Sequence, residues 1–551
     1  MNHFEKEKKQ KFFFLFSILC LIIYKYLWSA IGASWREDEA TVLWIANNFS
    51  FLDTPLGLVS SVGLPNPNLL ILISKPLTIF NSLIYTSTIF GLLNVFFIYL
   101  ALKDDQKDYK NVLLFFLIGF SSYISQSTLE PWGQSFLIIT NSIFIYVLFG
   151  FVIEKKYYLF PLFPVVILIP SSIYLGGLSN SVLYSLFFFF LILLNIRKFK
   201  QFFGNKLINI FSLILTFLLI RFTWTPYFKI VNLNSISEVG NNWTNIYLIF
   251  IERYKNTVKS IFGFWVDEKS YFFPTININN ISESTNNLFQ IYLKLHWFLQ
   301  RYVLLHIFLI FLSLILFKKR LNMDYVSKIF LLIFYLILFT AISPALGGRE
   351  FLKYQRMDNY IEAYFIFIYI WFFIGYSYSN FRFSKFINLF NSSLIVLFII
   401  FNAYFSLNIL YDNFYNQTTK LSESDVPMIH KEQVADYIAK DWQNLSVSKH
   451  LPIYYELGGG LYDWVNDFGT NMSNYYPSNP YTIGRSFDYI FQKKYNLINS
   501  QEGLQFRDLK NTKYIIAYTF SPIRGAIYDN YDELYFGRLR LLINKNYKID
   551  N

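Results

Sequence analysis

The chain has 551 residues, of which 54% are hydrophobic and 21% aromatic, while only 15% are charged, against about 25% in an ordinary soluble domain. Its mean hydropathy is +0.34, more apolar surface than a water-exposed globule can hide, so the composition excludes a plain soluble protein and makes lipid the solvent for much of the chain. The formal charge of +12 reads as loop lysines and arginines set by membrane topology, not as a nucleic-acid surface.

A single cysteine, Cys20, excludes an intrachain disulfide. The five histidines are scattered and show no zinc-ligand spacing. At the N-terminus, lysines from Lys6 to Lys11 precede an apolar run over 12–33. That run is too long for a cleaved signal, so it is expected to be a signal anchor and the first span. Further runs long enough to cross roughly 30 Å of hydrocarbon fall at 82–102, 111–129, 132–152, 157–175, 180–196, 207–223, 300–317, 328–344, 360–378 and 387–409. The expectation is therefore an all-α polytopic membrane protein of about eleven spans.

Orientation follows from the basic residues of the short loops. With a cytoplasmic N-terminus, the inside segments carry nineteen Lys and Arg. The outside ones carry five: Arg36, Lys75, Arg349, Lys353 and Arg356. This orientation puts loops at 34–81 and 224–299 outside, together with the tail from 410 to 551. The 224–299 loop contains an amphipathic stretch from Ile246 to Trp265. In the tail, Val434 to Trp442 has helical spacing, Leu451 to Leu457 and Tyr514 to Tyr518 read as strands, and Gly458-Gly459-Gly460 punctuates between them. The tail is thus expected to be an extracytoplasmic α/β domain, following a membrane domain over 1–409.

Directly after the first span comes Trp35-Arg36-Glu37-Asp38-Glu39-Ala40. Carboxylates at a membrane surface are prone to desolvation, which raises them toward the range of a general base. A solvated helix start, where acids complement the helix dipole, is the competing reading. Ala40 to Phe51 has the spacing of an interfacial helix. A turn rich in Pro and Gly follows (Pro55, Gly57, Gly63, Pro65, Pro67), and then a second amphipathic run over Asn68 to Phe80. Leu129-Glu130-Pro131-Trp132 places an acid at the edge of the bilayer on the same side as Asp38, where an ionisable group is costly and a functional candidate. Arg349-Glu350-Phe351-Leu352-Lys353-Tyr354-Gln355-Arg356 sets three cations in a short outside loop, against the positive-inside trend.

A large first external loop that opens on an acidic pair and carries two interfacial helices resembles the GT-C glycosyltransferases. That superfamily includes protein O-mannosyltransferases, oligosaccharyltransferases and the aminoarabinose transferase of lipid A. Asp38-Glu39-Ala40 matches the pair of the last type. Pro65-Asn66-Pro67-Asn68-Leu69 is a degraded match to its His-Pro-Pro-Leu-like segment, without the histidine and the Pro-Pro. Glu130 corresponds to the family's acid between spans three and four, and the Arg349–Arg356 segment to its late Arg-Tyr-like element. The resemblance covers the arrangement of about the first 410 residues.

It implies a sugar transferred from a polyprenyl-phosphate-sugar donor to a glycan, lipid or protein acceptor, with inversion, at the outer face of the cytoplasmic (inner) membrane. Asp38 would be the general base, and Glu39 and Glu130 would position the acceptor or a divalent cation. Arg349, Lys353 and Arg356 would hold the donor phosphate, for which a guanidinium fork is suited. A divalent metal, Mg²⁺ or Mn²⁺ on Asp38 and Glu130, is left open, and no nucleic acid is implied. The rival readings are a transporter or flippase of lipid-linked glycan, which would place charges inside several spans or show repeated halves, and a structural assembly subunit.

Overall fold

A computed structural model describes residues 3–33, 35, 37–58, 65–102, 108–230, 282–317, 321–346, 366–378, 381–415, 426–457, 484–500, 512–519 and 530–548. The side chains of Glu37 and Asp38 lie outside that description, although their backbone is helical.

The membrane part is a stack of helices: α1 (His3–Leu27), α2 (Glu37–Asn48), α3 (Leu69–Ser74), α4 (Leu83–Leu102), α5 (Asp108–Gly119), α6 (Ser122–Ser127), α7 (Gly133–Val152), α8 (Phe163–Ile173), α9 (Leu178–Asn195), α10 (Phe199–Phe202), α11 (Lys206–Leu219), α12 (Thr225–Ile230), α13 (Glu283–Phe317) and α14 (Met323–Leu346). α15 (Ile366–Ser377) and α16 (Ser384–Tyr415) follow among the described residues. Among the described residues, seven helical stretches are long and apolar enough to cross a membrane: Phe14–Gly32, Leu83–Leu100, Ser135–Val152, Leu175–Phe202, Lys206–Lys229, Glu283–Leu316 and Ser384–Tyr415.

The outward faces of these helices explain the composition. On α11, Leu207, Phe211, Ile214 and Phe217 are exposed, whereas Ser212 is buried with its hydroxyl donating to the Pro161 carbonyl. α13 exposes Leu304, Phe308, Phe311 and Ile315 along its length. Apolar stripes of that extent require lipid rather than water. Inside the bundle, aromatic rings fill the gaps: Phe144 stacks on Tyr184 with centroids 4.0 Å apart, a contact worth about 0.5–1.5 kcal/mol beyond its buried area.

The other expected spans take different shapes. The 111–129 run breaks into α5 and α6, because Ser121 caps α6 by accepting the Ile124 amide at 3.3 Å. In the 157–175 run, a 3-10 segment (Tyr157–Leu162) leads into the short α8, which has Pro170 within it, and proline removes a helical hydrogen bond. α14 covers the 328–344 run, and α15 is the described part of 360–378. α13 begins at Glu283, well inside the expected 224–299 loop. α16 continues to Tyr415, past the boundary expected at 409. The Ile246–Trp265 stretch lies outside the described residues.

Among the described residues, the C-terminal unit contains α17 (Met428–Leu445), α18 (Arg485–Ile490) and six strands: β1 (His450–Leu451), β2 (Ile453–Glu456), β3 (Ile498–Asn499), β4 (Tyr514–Tyr518), β5 (Tyr531–Phe536) and β6 (Leu539–Asn544). β2, β4, β6 and β5 lie side by side in that order. β2 and β4 are parallel (Ile453 opposite Tyr514), and β6 is antiparallel to both β4 and β5. β1 and β3 form a separate parallel pair. The parallel pairing needs a crossover, and α18 lies within it. Gly537 turns the β5–β6 hairpin at φ 56°. A Cβ there would also overlap the His430 ring, so both backbone and space require glycine.

Candidate functional site

The site is built where the chain leaves α1. The last turn of that helix widens into a π turn, Trp28–Gly32, and the following strand of backbone is tethered almost residue by residue. Asn413 of α16 donates to the Ile31 carbonyl at 2.8 Å, and the Met428 amide at the start of α17 donates to the Ala33 carbonyl at 3.2 Å. Trp35 comes next, fully buried and at φ 45°, a left-handed conformation rare for a bulky residue. Its amide donates to Glu130 Oε1 at 2.8 Å, its indole N–H to Ser87 Oγ of α4 at 2.8 Å, and its carbonyl accepts from Lys431 Nζ of α17 at 3.3 Å. Lys431 is itself buried and also donates to Ser486 Oγ at 3.3 Å.

Asp38 lies in the first turn of α2, just beyond this knot, and Glu39 is buried. Glu130 is likewise buried, in the α6–α7 loop. The structure therefore brings Glu130 to the backbone that leads into the Asp38–Glu39 turn. Arg349, Lys353 and Arg356 lie outside the described residues.

α2 is more enclosed than an interfacial helix would be. Ala40 to Leu43, Ile45 and Ala46 are buried, because both α3 and α18 pack against the helix. Lys75 closes its C-terminus by donating to the carbonyls of Ala46 (3.2 Å) and Phe49 (2.6 Å), the favoured place for a cation. The Pro65–Leu69 segment is a folded turn: Asn66 exchanges backbone hydrogen bonds with Gly57 and Leu58, and its side chain accepts the Leu175 amide at 2.9 Å.

The C-terminal unit supplies residues that sequence reasoning missed. The Arg485 guanidinium lies over the Trp44 ring, 4.2 Å from its centroid, and 3.8 Å from Asp488 Oδ2. Tyr455 donates to the other Asp488 oxygen at 2.6 Å. Asn48 and Gln492 exchange amide hydrogen bonds of 3.1 and 2.6 Å. Glu432 accepts the Ser82 hydroxyl at 2.7 Å and the Ile84 amide at 3.4 Å, capping α4 from another part of the chain. Burial pushes the Glu432 carboxyl above the usual carboxylate range, only partly offset by those hydrogen bonds. Lys431 and Glu432 sit on an amphipathic helix whose polar residues read as solvated. Only the mixture of charges on its inner face hints otherwise.

Deeper in the bundle, Lys25 is buried and donates to Ser125 at 2.8 Å. Nearby, the Ser122 hydroxyl lies 2.9 Å from the Asn402 Oδ1, which accepts from it, and 3.0 Å from the Tyr292 hydroxyl. Among the described residues no three His, Cys, Asp or Glu side chains converge to hold a metal.

The apolar helices and the small C-terminal sheet define a multipass membrane protein. No family model matches the chain, and no curated protein or solved structure matches it.

Proposed function

We propose that this chain is a GT-C-like glycosyltransferase of about eleven spans. It moves a sugar from a polyprenyl-phosphate carrier to a glycan, lipid or protein acceptor at the outer face of the cytoplasmic membrane. The observation that carries the reading is the 2.8 Å bond from the Trp35 amide to Glu130. It draws the loop acid and the start of the acidic helix to one place at the end of the first span.

In this reading Asp38 takes the proton of the acceptor hydroxyl or amine as that oxygen or nitrogen attacks the anomeric carbon. The bond from the anomeric carbon to the phosphate oxygen breaks on the opposite face, and the polyprenyl phosphate leaves with the electron pair. Glu39 orients the acceptor. Arg349, Lys353 and Arg356 stabilise the charge that grows on the departing phosphate.

Transfer of radiolabel from polyprenyl-phosphate-sugar extracts, with wild type beside Asp38→Asn, tests the reading. Label reaching an acceptor only with wild type supports it. The flippase alternative draws on one specific feature, the ionisable Lys25 buried within the first apolar helix. Movement of a fluorescent lipid-linked sugar between leaflets without any transfer would favour that alternative.

A further inference from the structure

We infer that Glu130 and Lys431 are positioning residues, which act on the reaction by gripping the backbone at Trp35. Glu130 holds the Trp35 amide and Lys431 holds the Trp35 carbonyl. These two groups belong to the peptide planes on either side of one α-carbon. Fixing both planes fixes φ and ψ at Trp35, while the bond to Ser87 fixes its indole.

The conformation so held is one that an L-residue of this size avoids by itself. It persists only where the surroundings over-determine it, a recurrent property of functional loops. In sequence, Arg36 alone separates Trp35 from α2, so the chain direction set at Trp35 reaches the Glu37-Asp38-Glu39 turn across a single residue. One grip comes from the α6–α7 loop and the other from α17. The acidic turn is therefore set only while the C-terminal unit is docked. That unit is a working part of the site, and Glu130 serves it by accepting the Trp35 amide.

The structural part of this inference is independent of the reaction, and its catalytic part rests on the glycosyltransferase reading. The experiment uses the full chain in lipid nanodiscs, with hydrogen exchange followed in peptides spanning 28–43. Glu130→Ala and Lys431→Met should speed exchange there by roughly tenfold or more, as loss of a hydrogen bond to a charged group implies. Glu130→Gln still offers an amide oxygen and should stay within about threefold of wild type. Exchange in β4 reports whether the fold survives and should not change.

With radiolabelled polyprenyl-phosphate-sugar, Glu130→Ala and Lys431→Met should lose kcat on the order of 100-fold, the scale of a misaimed catalytic group. KM for the donor should move little, and Glu130→Gln should restore most of the rate. Exchange in Glu130→Gln as fast as in Glu130→Ala would overturn the inference. So would a Glu130→Gln protein that is fully protected yet as inactive as Asp38→Asn, since Glu130 would then take part in the chemistry. If wild type transfers nothing while the exchange results stand, the transferase reading fails and the clamp at Trp35 does not.

Discussion

Replacing His430 with phenylalanine should remove an acid-sensitive step from the docking of the C-terminal unit. His430 is 3% exposed. It packs against Phe414 with centroids 5.1 Å apart and directly over Gly537. Burial, and secondarily the Arg538 cation, pull its pKa from 6.5 down to about 4. The folded-state pKa is depressed, so the neutral ring's contribution to stability is fully present above pH 6.5 and is lost as pH falls through 4. The difference corresponds to about 3 kcal/mol at 1.36 kcal/mol for each unit. Glu432 works in the opposite sense. Its raised pKa favours the docked state below the usual glutamate range and weakens it as pH rises. Thermal unfolding of the full chain in nanodiscs, followed from pH 7.5 to 4, should show wild type losing stability on acidification, and His430→Phe losing about 3 kcal/mol less. Parallel pH curves for the two proteins would refute the assignment.

Glu432→Ala removes the cap of α4 and should cost about 1 kcal/mol at neutral pH, read from the melting midpoint, while Glu432→Gln keeps the acceptor and should cost less. Gly537→Ala forces a side chain into the left-handed region against the His430 ring, and should destabilise the C-terminal unit by at least about 1 kcal/mol in chemical denaturation. Arg356→Ala should weaken binding of polyprenyl phosphate about tenfold with a smaller change in kcat, as expected for loss of a charge-assisted hydrogen bond, and equilibrium binding of the labelled lipid checks it.

Much of the fold was legible because lipid imposes length and apolarity directly on the sequence. The 82–102 and 132–152 runs reappear as α4 and α7 with nearly the expected bounds, and the 12–33 run belongs to a helix that already begins at His3. Tyr514–Tyr518 emerges as β4 because its all-apolar run is buried on both faces. The division of 111–129 depended on one serine acting as a cap. The β5–β6 hairpin depended on a positive-φ glycine in a segment of mixed polarity. At the site, acids could be singled out because charges near lipid are conspicuous. Their supports could not, since Lys431 and Trp35 are 396 positions apart. A lysine on an amphipathic helix looks solvated until the surface it docks against is known. Trp35 gives no sign in its identity that its backbone is left-handed.

Under the proposed function, the acids after the first span catalyse sugar transfer. The direct measurement is transfer of label from polyprenyl-phosphate-sugar to acceptor by the purified full chain, wild type beside Asp38→Asn, with melting midpoints recorded for both. The account predicts transfer by wild type and none above background by Asp38→Asn at an unchanged midpoint. Equal transfer by the two proteins would contradict it.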